Sequence, residues 1–274
     1  MSTAPSPVPP GYFRHYSTEG PPVVLVGEIL GGYASWGAHA DALGSRWRVM
    51  AVSPLLVTHA AQGRLPPEPW GVHVEGDALA AGLDSLGIDT AHVAGWSLGG
   101  AIAIDFAMSH PGRVRSLTLV EPQVRWLLRA LGRETDADRA DSSFIRGLGE
   151  REIDEAVLSH FLHRVGAVPP DEDPTRNRAW RLAWQHRLAL ANAWRVQANE
   201  DDVERLRALT MPLLLVRGDR TNAYDTRMTD ALAELLPAAR RLLLPGGHTS
   251  HIASMPTFIE AFEATLLQGE ARRG

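Results

Sequence analysis

Apolar residues along this chain fall into short unbroken runs, set between longer stretches with helical spacing. Val23-Val24-Leu25-Val26 is such a run, bounded by Pro21-Pro22 and Gly27, and Arg48-Val49-Met50-Ala51-Val52 is a second. His92-Val93-Ala94, Ser116-Leu117-Thr118-Leu119-Val120, Leu213-Leu214-Leu215-Val216 and Arg241-Leu242-Leu243-Leu244 continue the series. Continuous β-branched and leucine runs of this length are expected of strands buried on both faces of a parallel sheet. Tyr12 to Tyr16 reads as a further strand and turn. Between the runs, Val74, Leu79, Leu83 and Leu86 share a helical spacing that ends at Gly87, and a second helical stretch closes near His110-Pro111-Gly112. Strands alternating with helices predict an α/β fold, a mostly parallel sheet with helices on both faces.

The alternation breaks once. From Arg125 to Leu209 no strand is legible, only helical patterns with breaks at Asp136-Ala137-Asp138 and from Val168 to Pro174. This predicts a helical cap over residues 125–209, lying over the C-terminal edge of the sheet, where open α/β folds bind ligands. The core is then 11–124 and 210–274, behind a loose proline-rich tail at 1–10 that has neither a basic nor an apolar region of a signal peptide.

Composition narrows the chemistry. The 274 residues, 45% hydrophobic, suffice for one large core with an inserted subdomain. A formal net charge of −5 offers no general attraction for nucleic acid or an anionic membrane. No run of 18 apolar residues exists, so no membrane span is expected, and with no signal peptide the cytoplasm is the default expectation. The expected partner is a small-molecule substrate. There is no cysteine and no lysine, which excludes thiol nucleophiles, disulfides and Schiff-base chemistry. No cofactor is implied.

The sharpest signal is Gly95-Trp96-Ser97-Leu98-Gly99-Gly100, between an apolar run and a helix-like stretch. A G-x-S-x-G sequence in that context reads as a nucleophile elbow, and places Ser97 at a helix N-terminus that favours developing negative charge. With the terminal Pro245-Gly246-Gly247-His248, this chain resembles the α/β-hydrolase family with a cap between the sixth and seventh core strands. The resemblance implies that His248 takes the proton from Ser97, and Ser before His is the chain order of that fold. It also implies oxyanion N–H groups from Leu98 and Ile29, with Glu28 replacing Ile29 if the register slips by one residue. His248-x-x-His251 has no accompanying ligand cluster, so no metal is expected.

Three departures from the family pattern stand out. The oxyanion loop, His-Gly in the family, reads Gly27-Glu28. A carboxylate there either points away or repels the oxyanion. In the frame Gly218-Asp219-Arg220-Thr221, threonine stands where the family acid usually follows the seventh strand. Some members carry that acid after the sixth strand, where Glu121 stands in Leu119-Val120-Glu121-Pro122. Glu121 is therefore the first candidate to orient His248, Asp219 the second and Asp225 the third. Finally, Ser53 to Gly63 lacks the family's Asp-x-x-Gly-x-Gly loop near the expected mouth of the site, so pocket shape is expected to differ. Trp96 and the cap's Trp180 and Trp184, the last two spaced to share a helix face, are candidate pocket walls. Five arginines from Arg176 to Arg195 either reach toward an anionic or carrier-bound substrate or pair with the acidic run Glu200-Asp201-Asp202 and Glu204.

The leading expectation is a hydrolase for small, largely apolar esters, thioesters or lactones, acting through Ser97, His248 and Glu121. The alternative is a biosynthetic lyase, cyclase or acyl transferase in which His248 or Glu28 moves protons. A ligand receptor without turnover is the third reading.

Overall fold

A computed structural model describes residues 8–273. Seven strands form one sheet: β1 (Phe13–His15), β2 (Pro22–Val26), β3 (Arg48–Val52), β4 (Ala91–Trp96), β5 (Val114–Val120), β6 (Leu213–Gly218) and β7 (Arg240–Leu244). Their order is β1-β3-β2-β4-β5-β6-β7, all parallel except β1, which pairs antiparallel with β3. The helical segment interrupts the sheet between β5 and β6, the fifth and sixth strands of this sheet.

Around the sheet run α1 (Gly37–Leu43), α2 (Leu55–Ala60), α3 (Val72–Ser85) and α4 (Leu98–Ser109). The helical segment holds α5 (Arg125–Ala130), α6 (Asp136–Gly147), α7 (Glu155–Arg164), α8 (Trp180–His186), α9 (Ala193–Ala198) and α10 (Val203–Arg207). After β6 come α11 (Ala223–Leu235), α12 (Ser250–Ala253) and α13 (Met255–Ala271).

Side chains alternate between the sheet faces along each strand. Val24, Val26, Met50, Val93 and Leu119 pack with α3, α4 and the helical segment. Val23, Leu25, Ala51, Ala94 and Val216 face the other way, against Leu43 of α1 and Phe258, Phe262 and Leu266 of α13. Burial on both faces is why the central strands read as unbroken apolar runs.

Several expectations change. Asp136-Ala137-Asp138 opens α6, because Thr135 and Asp138 form a reciprocal capping box at its N-terminus. Ser53 to Gly63 contributes α2, whose first N–H groups at Leu55 and Leu56 donate to the buried Glu75 carboxylate at 2.7 and 2.9 Å. Of the tail at 1–10, residues 1–7 lie outside the described residues, and Val8 is buried in the core.

Candidate active site

Ser97 sits between β4 and α4 with φ 56° and ψ −118°. Only it and Glu121, φ 41°, have positive φ among the described non-glycine residues. Both follow the C-terminal ends of neighbouring central strands, so backbone strain gathers there. The elbow closes because glycine lets backbones touch. A Cβ on Gly95 would lie 2.1 Å from the Gly99 carbonyl oxygen, and one on Gly99 would lie 2.1 Å from that of Val26.

His248 is carried by the turn after β7. Its Nδ1 donates to Glu121 Oε2 at 2.6 Å, which leaves Nε2 as the nitrogen available to a reacting group. Glu121 Oε1 accepts from the Gly218 N–H, and Oε2 also accepts from Thr221 Oγ1, both at 2.8 Å. Thr221, at the usual acid position, thus serves as a donor to the carboxylate that stands in its place. Asp225 Oδ2 lies 3.7 Å from His248 Nδ1, held by the amides of Gln123 and Asn222 at 2.9 and 2.7 Å. Asp219 is placed elsewhere: it accepts from the Gly246 N–H at 2.8 Å and braces that turn.

These contacts set the charges. Burial alone would favour neutral His248, but the Glu121 hydrogen bond and charge outweigh it and, with Asp225 and Glu28, raise its pKa to about 9. Burial works to raise the Glu121 pKa, and the His248 contact reverses this and lowers it. The resting pair is therefore ionic. Burial lifts Asp225 to about 6.

Ser97, His248, Glu28, Ile29, Leu98, Trp96 and Trp180 line one cavity of about 600 Å³ between the strand ends and the helical segment. Neither the Ile29 nor the Leu98 N–H has a hydrogen-bond partner among the described residues, so both donors remain available to an oxyanion. Glu28 folds back so that Oε2 accepts from the Leu30 N–H at 2.7 Å. Burial raises its pKa to about 7, against the opposing pull of Leu30, His248 and Gly31.

Other expectations land differently. Trp184 stacks on Trp180, ring centroids 6.1 Å apart, but stands outside the cavity lining because it turns outward beneath the Arg187 guanidinium. None of Ser53 to Gly63 lines the cavity. None of the five arginines from Arg176 to Arg195 pairs with Glu200 to Glu204 among the described residues. Arg195 bonds Glu68 and Arg176 bonds Asp173, and the acidic run is met instead by Arg205, which pairs with Asp201, and Arg207, which pairs with Glu204. His251 is buried among Trp36, Trp96 and His39, away from any ligand set with His248. Among the described residues two groups bring possible metal-ligand atoms within 4.8 Å, Glu121–Asp225–His248 and His73–Asp105–Asp201. The first is already committed to internal hydrogen bonds, and in the second His73 bonds Asp105 directly. Arg125, a cavity residue with no sequence signal, was not anticipated.

The model of a family described as alpha/beta hydrolase fold matches residues 21–254. A relative from Caulobacter vibrioides, named "Putative carbamate hydrolase RutD", is 34% identical over 276 residues, covering 92% of this chain and 94% of that protein. A relative of the same name from Azorhizobium caulinodans is 35% identical over 108 residues, 39% of each chain, so this chain spans well under half of that relative's length in the match. A pimeloyl-[acyl-carrier protein] methyl ester esterase from Aeromonas hydrophila is 27% identical, covering 89% of this chain and 95% of that one. Among solved structures, a hydrolase from Pseudomonas aeruginosa superposes with TM-score 0.73 at 23% identity, covering 94% of this chain and 92% of that one.

Proposed function

This chain belongs to the α/β-hydrolase fold family, and from that premise we propose that it is a serine hydrolase of small acyl compounds, free or carrier-bound. Esters, thioesters, lactones and carbamates share the chemistry. Ser97 Oγ attacks the acyl carbon, and His248 takes the proton and returns it to the leaving group. Water, deprotonated by His248, then cleaves the acyl–Ser97 ester and the proton returns to Oγ, while Glu121 orients and charge-balances the imidazole. The Ile29 and Leu98 N–H groups receive the oxyanion. Helices 125–209 act as a cap that closes the cavity. The 2.6 Å bond from His248 to Glu121, behind the cavity that His248 and the strained Ser97 line, carries this reading. The relatives' names, a carbamate hydrolase and an ester esterase, lend it support.

The test is intact mass after a fluorophosphonate probe, beside ester turnover. Stoichiometric labelling of the parent and none of Ser97→Ala is expected, and Glu121→Gln should lower kcat on the order of 10⁴-fold. A folded parent that takes no label removes the proposal. The proton-transfer reading would then lead, because half-buried Glu28 lines the same cavity close enough to His248 to raise its pKa.

A further inference from the structure

Arg125 is a buried cation without a counter-ion among the described residues. It opens α5, four residues after Glu121, and lines the cavity that holds Ser97 and His248. The residue is 7% exposed. Its Nη1 donates to the Asp138 carbonyl and to Ser142 Oγ, both at 3.1 Å, and its guanidinium carbon lies 3.7 Å from the Tyr224 ring centroid. Its Nε is buried with no partner. The surrounding carboxylates are engaged elsewhere: Asp138 by Arg227, Asp141 by Arg164, and Asp225 by two amides.

A guanidinium taken out of water without an opposite charge is costly to the fold. Stacking on Tyr224 fixes its plane, yet part of its donor fork stays unused. Such a group is preorganised for an anion that arrives from outside. We propose that Arg125 binds a carboxylate on the substrate, separate from the carbonyl attacked by Ser97. The inference rests on the hydrolase reading of this cavity and adds its substrate class. A single planar fork matches a carboxylate monoanion. Of the other charges lining the cavity, Arg164 and Arg227 are paired with Asp141 and Asp138 and Arg178 is exposed, while Glu28 and Asp225 oppose a more highly charged phosphate.

The test compares charged and neutral substrates in the same enzyme. Mono-4-nitrophenyl succinate, glutarate and adipate carry the charge on the acyl side, against 4-nitrophenyl butyrate, valerate and hexanoate. 4-Butyryloxybenzoate carries it on the leaving side, against phenyl butyrate. At least one charged series should be preferred about tenfold or more in kcat/KM, as expected for one charge-assisted pair. That ratio should collapse in Arg125→Met and survive only in part in Arg125→Lys, which keeps charge but loses the fork. Lack of preference for charge in either series, or a ratio kept by Arg125→Met, overturns the inference while leaving the hydrolase reading intact. If neither neutral nor charged esters are turned over, the hydrolase reading has failed, and binding decides alone. Glutarate should raise the Tm of the parent and not of Arg125→Met. No rise in the parent, or a larger rise with inorganic phosphate, overturns the carboxylate assignment. Should Arg125→Met fail to fold, Arg125→Lys carries both comparisons.

Discussion

At the scale of single residues, the site is governed by how many carboxylates surround one imidazole. Glu121 bonds His248, Asp225 lies beside it, and Glu28 faces it across the cavity. In the proposed mechanism His248 must be neutral to accept the Ser97 proton, and these charges hold it protonated until about pH 9. The rate kcat/KM for a neutral ester should therefore rise with pH toward that value. Removing a charge that raises the pKa moves the rise to lower pH, more in Asp225→Asn than in Glu28→Gln, since Asp225 acts more strongly on the ring. Rate profiles of the two variants check this; superimposable limbs would show that neither carboxylate acts on His248. Ser97 and His248 were legible because a glycine-flanked serine and a terminal Gly-Gly-His are local patterns. Glu121 was legible only as one of three acids. Which of them meets His248 depends on the positive φ of Glu121 and on the Gly218 and Thr221 donors across the sheet, and no local pattern encodes these. Arg125 had no signal at all, since its distinction is a missing partner.

At the scale of elements, the elbow works because β4 and α4 approach within backbone contact. Gly99 takes the tightest position against β2, with the Val26 oxygen 2.1 Å from where a Cβ would stand. Gly99→Ala must push α4 away from β2 and should destabilise the fold on the order of 3 kcal/mol. Urea unfolding measures that cost, and a change below ~1 kcal/mol would mean that the elbow yields easily. The central strands were readable because burial on both faces leaves few polar interruptions, whereas β7 has the same apolar run at the sheet edge with only Leu244 buried and Leu243 57% exposed. Helix starts were less so. Asp136 to Asp138 has the composition of a turn, and only the bonding of Thr135 with Asp138 makes it a helix start. Likewise Leu55 to Ala60 becomes helical where its free N–H groups meet Glu75, a residue twenty positions away. Where a partner distant in sequence supplies the cap, the segment alone does not announce its structure.

At the scale of the whole molecule, protonation links folding to catalysis. Below neutral pH, opposing groups offset one another. Burial raises Glu28 and Glu75 to about 7 and Asp225 to about 6, so their contribution falls as pH rises from the ordinary carboxylate range. Burial lowers His39 and His92 to about 4 and also lowers His186 and His251, so theirs is lost as pH falls below 6.5. Above pH 7 His248 dominates. Its folded pKa of about 9 stands above the ordinary 6.5, so its stabilisation is complete below 6.5 and is lost as pH rises through 9. At ~1.4 kcal/mol per pH unit, that loss amounts to about 3 kcal/mol between pH 6.5 and 10. Chemical denaturation across this range should show the decline in the parent and a flatter curve in His248→Gln; equal slopes would remove His248 as its source. The window in which stability falls is the one in which kcat/KM rises, because both follow the same proton. The ionic form of the pair contributes stability to the resting protein, and in the proposed mechanism turnover begins from the form that gives up that stabilisation.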